Sequence, residues 1–486
     1  MMAGYGAMGV TNLLSHSTAR QSSGESRGKI ALELETPLGL HEGTVSIREW
    51  WKWTLSRIGG SNMRKWYSLI DKVYARDNLH LAFKRVKANN GAPGIDGETV
   101  KDFATCLEEN LTMIHEELKT NTYQPSPVRR VEIEKEDGSK RPLGIPTVKD
   151  RVVQQAVRQI IEPIFEPDFH PSSYGYRPNR SCQQAVAKAE QFLRRYGLTH
   201  VVDMDLSKCF DTLNHERIIE GVNRKISDGR ILKLIRRFLE AGVMKDGAVQ
   251  ETEIGSPQGG VISPLLANIY LDEFDQKMKA LGIRIVRYAD DILVFASSPR
   301  QAKKYQMIAT QILEEDLKLT VNRDKTHITS LSKGVSYLGF VIYPKYISIH
   351  PKRIKRFKDA VRRLTPRNHG KNMEQQIAEL NRFLRGWIQY FRLANCKGFL
   401  SEAMGWIRRR LRMKKMREWK SWRGLHKALR RRGHHGDFKK ISMRCWRNSA
   451  SPLLSLALPN IWFEKLGLLD LTKYDVGIVS QFYELR

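Results

Sequence analysis

Hydrophobic positions along the chain change period several times, and each change marks an element. From about 64 to 89, Leu69, Val73, Leu79, Phe83 and Val86 recur at helical spacing, and the pattern stops at Asn89-Asn90-Gly91-Ala92-Pro93-Gly94, residues that break helices. A second helix is expected over about 98–119. Val128 to Lys135 then alternates like a half-exposed strand, Asp137-Gly138 signals a hairpin turn, and Lys140 to Pro146 reads as the return strand. Val152, Val153, Ala156, Val157, Ile160, Ile161 and Ile164 form the apolar stripe of a helix over 149–165. Ser181 is a suitable N-cap for a helix to about Arg195.

Thr199 to Leu206 reads as a strand that places Asp203 and Asp205 on one face. A helical region over about 214–241, a turn-rich loop from Ile254 to Gly260 and an apolar helix from Pro264 to Leu281 follow. Ile283 to Val286 and Ile292 to Phe295 are short, continuous apolar runs, the mark of buried strands. Between them Asp290 and Asp291 should occupy the tip of a tight hairpin. Residues 300–316 look helical, and Tyr337 to Ile342 is a further candidate for a buried strand. Past about 350 only helical patterns remain. Leu380, Leu384, Trp387, Ile388 and Phe391 share one face, and Leu400, Met404, Ile407 and Leu411 share another.

Length and charge narrow the reading. The 486 residues, 41% hydrophobic, suffice for two to four globular domains. Lys and Arg number 82 against 52 Asp and Glu, a formal +30, which implies a polyanionic partner such as a long nucleic acid. No apolar run is long enough to span a bilayer, so a soluble protein with no membrane partner is expected. The five cysteines (106, 182, 209, 396 and 445) include no C-x-x-C pair, which suggests a reducing compartment without structural zinc or disulfides. Residues 1–62 lack periodicity and read as a mobile leader with no secretory signal. Between 401 and 448, 17 Lys/Arg stand against three acids, with Trp406, Trp419, Trp422 and Trp446 interleaved. A solvated basic face is the plainer explanation, but aromatic interleaving at this density favours nucleic acid.

Two adjacent carboxylates between buried strands repel one another and lose hydration, a situation a divalent cation relieves. An acidic turn is the competing explanation, since Asp is common in turns. With Asp205 arriving from a neighbouring strand, three acids become candidates for one site. Phosphoryl transfer to a 3′-hydroxyl uses two divalent ions roughly 3.5–4 Å apart, held by a few fixed oxygen ligands. The Leu206 carbonyl is a candidate fourth ligand. The basic hairpin carrying Lys135 and Arg141 could fold over phosphates or form a solvated surface ribbon.

The ordered series of motifs resembles the reverse-transcriptase domain of group II intron-encoded proteins, the intron maturases. It comprises Gly91 to Gly97, Arg141 to Pro146, Ser173 to Asn179, Asp205 to Asp211, Ser256 to Asn268, Arg287 to Asp291, Asp324-Lys325-Thr326 and Tyr337 to Phe340. The resemblance implies an α+β right-hand polymerase: fingers and palm with a small antiparallel sheet over 63–350, and an all-helical basic thumb, or domain X, over 351–450. Residues 451–486 would form a tail, a reduced DNA-binding segment.

The same resemblance implies roles for individual residues. Asp205, Asp290 and Asp291 match the metal-binding triad for two Mg2+ ions, with Mn2+ as a substitute. Lys135, Arg141, Leu206, Phe210, Gln258 and Lys325 match nucleotide contacts, Phe210 lying beneath the incoming sugar and selecting deoxynucleotides. Leu338, Gly339 and Phe340 match the strand that grips the primer end. Arg408, Arg409 and Arg410 are candidates for RNA contact.

Partners implied by the resemblance are the group II intron RNA, an RNA template with a DNA primer, deoxynucleoside triphosphates and target DNA, in a cytoplasmic, nucleoid-associated particle of a prokaryote. No paired Cys and His follow Cys445, so the C-terminal endonuclease of many relatives is not expected, as in bacterial class C members. Lys318 stands where relatives usually carry Gly, a harmless change on this reading. A relative working in DNA repair or defence and an RNA-binding splicing factor without polymerase activity are the rival readings.

Overall fold

The computed structural model describes residues 65–134, 138, 140–245, 248–250, 259–366 and 370–483. Helices α1 (Ile70–Tyr74), α2 (Arg76–Asn89), α3 (Val100–Thr105) and α4 (Leu107–Lys119) open the fold. The sequence pattern predicts two helices here, and each is broken once. The breaks have a shared physical device: an Asn side chain donates to a carbonyl near the break. Asn78 donates to the Val73 carbonyl at 2.9 Å, and Asn110 donates to the Phe103 carbonyl at 3.1 Å. Helix ends otherwise leave such groups without partners.

Strands β1 (Val128–Glu134) and β2 (Lys140–Ile145) form the expected antiparallel ribbon. The central fingers helix α5 (Val148–Phe165) is capped by Thr147 and packs on α2. Helix α6 (Cys182–Glu190) starts at a capping box between Ser181 and Gln184 and continues as one wider turn to Arg195. Strand β3 (His200–Met204) precedes α7 (His215–Asn223) and α8 (Gly229–Glu240). Where the pattern predicts one helix over this last stretch, the structure has two. The split is imposed by Asp228, which is 5% exposed. One of its oxygens accepts the amides of Arg230 and Ile231 at the start of α8. The other accepts the amides of Leu69 and Ile70 at 2.8 and 3.0 Å, at the start of α1. A single carboxylate thus serves two helix N-termini, where negative charge is favoured.

Strands β4 (Val243–Lys245) and β5 (Ala248–Gln250) extend the ribbon to the order β2-β1-β4-β5. Helix α9 (Ser263–Ala280), strands β6 (Ile285–Tyr288) and β7 (Asp291–Ala296), helix α10 (Pro299–Gln311) and strand β8 (His327–Ser330) complete the palm. Its sheet is antiparallel in the order β6-β7-β3-β8. Alternation along the strands supplies two cores. Val202, Met204, Ile292 and Val294 enter the core shared with the fingers, and Val201, Leu293 and Phe295 enter the one shared with the C-terminal helices. This is the period of two expected for strands buried on both faces.

A three-stranded sheet follows: β9 (Val335–Tyr337), β10 (Phe340–Ile342) and β11 (Ile347–Ile349), ordered β11-β10-β9. The single strand expected over Tyr337 to Ile342 is therefore corrected to a hairpin, whose turn is Leu338-Gly339. Both turn residues have positive φ, +47° and +84°. Glycine adopts that conformation readily, whereas leucine there costs about 1–2 kcal/mol.

Helices α11 (Pro351–Leu364), α12 (Met373–Phe391), α13 (Lys397–Trp419) and α14 (Trp422–Arg430) form the helical end, with short α15 (Pro452–Ala457) and α16 (Asn460–Lys465) beyond. Their core is continuous with the palm's second face, so Phe340, Phe357, Trp387, Met404 and Phe463 belong to one cluster. The last described residues return to α6. There the Tyr483 hydroxyl donates to Glu190 at 2.7 Å, and Arg195 lies 4.6 Å from the Tyr483 ring centre. Among the described residues no helix is long and apolar enough to cross a membrane.

Candidate active site

The palm's strand register brings the acids together. Strand β3 pairs with β7 up to Met204 opposite Ile292, and one step further the chains present Asp205 and Asp291 side by side. Tyr288 pairs with Asp291 to close the β6–β7 hairpin, leaving Ala289 and Asp290 as its two-residue turn. Expected hairpin and expected neighbour are both present.

Charge is concentrated here. Lost hydration, then the charges of Asp290, Asp203 and Asp205, push the Asp291 carboxyl up to about 7, and Lys325 opposes them. Burial, with Asp205 adding to it and His327 opposing, pushes Asp203 up to about 6. Among the described residues no three acidic, histidine or cysteine side chains are already gathered as an ion cage. The donor chemistry still fits hard divalent cations: carboxylates that raise one another's affinity for positive charge, on backbones held in place.

Asp205 is tied down from the segment after α10. Asn322 donates its side-chain amide to an Asp205 oxygen at 3.2 Å and its backbone amide to the Asp205 carbonyl at 2.9 Å. The Asp205 amide faces the Thr326 hydroxyl at 3.4 Å. Lys325 stands 3.7 Å from the same carboxylate and is largely exposed. Leu206 is buried and forms an isolated bridge with Val321.

The hairpin tip is held from behind. Ala289 has φ +58°, a left-handed conformation that costs a non-glycine residue about 1 kcal/mol or more. Arg287, fully buried, donates to the Ala289 carbonyl at 3.1 Å, to Asn268 at 3.0 Å and to both oxygens of Asp275 at 2.6–2.9 Å. Asn268 in turn donates to the Gly175 carbonyl at 2.8 Å. Gly175 lies against the tip so closely that a Cβ there would fall 2.2 Å from the Ala289 nitrogen. The loop carrying Gly175 is fixed by Arg177, which binds Glu166 and the carbonyls of His170 and Ser173.

Other expected site residues fall as follows. Phe210 lies in a short turn after Lys208, is 8% exposed, and meets Tyr176 edge-on with ring centres 6.4 Å apart. The Leu338-Gly339 turn and Phe340 follow Tyr337, whose buried hydroxyl approaches the Asp291 carbonyl at 3.5 Å. Lys135 and Gln258 lie outside the described residues, as does the side chain of Arg141.

Arg408, Arg409 and Arg410 each have partners within the protein. Arg408 pairs with Asp470 at 2.8 Å, Arg409 binds the Ser449 hydroxyl and covers Trp446, and Arg410 binds Thr365 and covers Trp406. Their guanidinium groups join α13 to neighbouring segments because each faces an acceptor or ring of the protein itself. A group of exposed cations lies on α14 and just after it. Arg423, Lys427, Arg430 and Arg431 border a hollow of about 560 Å3 together with Trp422 and His426.

The sequence assigns no positioning role to Arg287, Asn268, Asp275, Gly175 or Asn322, although Arg287, Asn268 and Gly175 lie inside the motifs. A signal exists for two of them. Asn268 and Asp275 are seven residues apart, on one face of α9 and both buried, where polar groups need partners.

Residues 133–342 match the reverse transcriptase (RNA-dependent DNA polymerase) family, and residues 354–433 match the group II intron maturase-specific domain. Protein YkfC of Escherichia coli (strain K12) is 37% identical over 284 residues, covering 51% of this chain and 74% of that protein. The group II intron-encoded protein LtrA of Lactococcus lactis subsp. cremoris is 40% identical over 229 residues, covering 45% of this chain and only 37% of LtrA. A putative COX1/OXI3 intron 2 protein of Saccharomyces cerevisiae is 29% identical over 322 residues, again covering 37% of that relative. With both domains present in this order on a right-hand α+β fold, the chain belongs to the group II intron-type reverse transcriptases that carry a maturase domain.

Proposed function

We propose that this chain copies an RNA template into DNA from a DNA primer and binds the group II intron RNA whose splicing and mobility it assists. The observation that carries the reading is the meeting of Asp205 and the Asp290-Asp291 turn at the ends of β3 and β7. On this reading Asp205, Asp290, Asp291 and the Leu206 carbonyl hold two Mg2+ ions. When bound, the ions supply charge neutralisation at the attacking 3′-oxygen and the departing pyrophosphate.

The protein's own groups do the rest. Lys325, beside Asp205, offsets the triphosphate's negative charge, with Lys135, Arg141 and Gln258 as further nucleotide contacts. The Phe210 ring fills the space a 2′-hydroxyl would need, which selects deoxynucleotides. The turn at Leu338-Gly339, with Phe340, supports the primer end. For RNA, the exposed row Arg423, Lys427, Arg430 and Arg431 is better placed than Arg408, Arg409 and Arg410, whose cations have internal partners. Target DNA is the further polyanion, and the tail after 451 is a candidate contact for it. Work in the cytoplasm on nucleoid DNA follows from these partners.

Primer extension on an RNA template with deoxynucleotides and Mg2+ tests the reading, with the Asp290→Ala protein alongside. Extension that vanishes in the variant while RNA binding persists is expected. Tight, salt-sensitive RNA binding with no extension by the unaltered chain would favour a splicing factor without polymerase activity.

A further inference from the structure

The turn Leu338-Gly339 is strained, so something must hold it. The Gly339 carbonyl accepts the His350 amide at 3.0 Å, within the same small sheet. The Leu338 carbonyl instead accepts a hydrogen bond from a different part of the fold: the Tyr390 hydroxyl at 2.9 Å, near the end of α12. The Tyr390 ring also stacks on Phe340, with centres 5.7 Å apart and planes 12° from parallel.

Tyr390 is itself located by the palm. Gln183, in α6, donates to the backbone carbonyls of Gln389 and Tyr390 at 3.3 and 3.2 Å. The Cys182 thiol in turn donates to the Gln183 side-chain oxygen at 3.1 Å. On the far side of the turn, Tyr337 reaches the Asp291 carbonyl. One path therefore runs from the thumb helix through the turn to the catalytic hairpin.

We infer that Tyr390 is a positioning residue for the primer terminus: its hydroxyl holds Leu338 in the left-handed conformation, and so couples the thumb's seating to the place where the 3′-end meets Asp291. The inference rests on the reading of the Leu338-Gly339 turn as the primer support. It predicts a specific failure. Without the hydroxyl, Leu338 relaxes towards ordinary backbone angles and the primer end is held less well, while the nucleotide pocket around Phe210 and Lys325 is untouched.

The test uses the full chain and steady-state extension with primer–template and deoxynucleotide varied separately. Tyr390→Phe keeps the ring stack and removes only the hydrogen bond. The expected result is a rise in the primer–template KM of about fivefold, the size of one lost hydrogen bond of about 1 kcal/mol, with the deoxynucleotide KM unchanged. Leu338→Asn provides the second arm, because Asn-Gly adopts this turn unaided. Adding Leu338→Asn to Tyr390→Phe should restore most of the primer KM measured with Leu338→Asn alone.

An unchanged primer KM in Tyr390→Phe, or an equal rise in both KM values, overturns the inference while leaving the polymerase reading intact. A defect that Leu338→Asn does not suppress overturns it too, since the hydroxyl would then act elsewhere than on the turn. If the unaltered chain makes no DNA at all, the polymerase reading fails and the inference falls with it.

Discussion

Arg287 donates to both oxygens of Asp275 with neither side chain exposed to water, and the same guanidinium reaches the carbonyl of Ala289, next to Asp290 and Asp291. The pair acts as a fixed post behind the hairpin. Removing one partner leaves an uncompensated buried charge, which costs about 3–5 kcal/mol. Asp275→Asn should therefore lower the urea midpoint markedly and also abolish primer extension in the fraction that folds. A variant of normal stability and activity would show that the hairpin needs no such post.

Gly175 offers a cleaner separation of position from stability. A methyl group there would strike the Ala289 backbone at 2.2 Å, and backbone cannot move aside cheaply. Gly175→Ala should displace the Ala289-Asp290 turn and cut DNA synthesis at least tenfold, an effect worth about 1.4 kcal/mol in the barrier. Gly386→Ala is the control. Gly386 lies inside α12 with open space at its Cβ position, so alanine should leave synthesis unchanged and stabilise by about 0.5–1 kcal/mol. Equal activities in the two variants would contradict the close approach at Gly175.

Phe210 is nearly buried and meets Tyr176. Replacing its ring with a methyl group opens volume on the sugar side of the proposed nucleotide site. Phe210→Ala should incorporate ribonucleotides where the unaltered chain discriminates against them. Competition between the two sugars in single-nucleotide extension measures this, and unchanged discrimination would assign the ring to the core alone.

The two arginine groups of the thumb should separate in salt titrations of RNA binding. The triple variant Arg423→Ala, Lys427→Ala, Arg430→Ala should reduce the slope of log K against log salt by about one for each phosphate no longer neutralised. Arg408→Ala should instead lower thermal stability, because Asp470 is left without its cation, with the slope little changed. The reverse pattern would return the RNA interface to α13.

The acids and the strands that carry them are legible in the sequence because continuous apolar runs leave few alternatives for a buried hairpin, and two aspartates between such runs stand out. The turn at Leu338-Gly339 is not legible. Leucine at positive φ is disfavoured locally, and a hydrogen bond from Tyr390, 52 residues away, helps to hold it. The same limit hides the helix break at Asp228, whose carboxylate is shared with a helix start 159 residues earlier. Lys318 shows the converse. Its φ is +57°, so the glycine usual in relatives would fit without strain, and the substitution expected to be harmless carries a cost of about 1–2 kcal/mol. The basic C-terminal composition is plain, but composition does not say which guanidinium groups have partners within the protein, as those of Arg408 to Arg410 do.

Val201 and Val202 are successive residues, yet the first belongs to the core of the thumb and the second to the core of the fingers. The sheet that carries the aspartates is thus a party wall with no space of its own. Loosening either room shifts the wall, so a cavity-forming substitution at Leu380 or Met404, far from any substrate, should be felt by the aspartates as lost alignment. Screens for slow variants of this enzyme would then return many residues that never touch nucleic acid, scattered through both rooms.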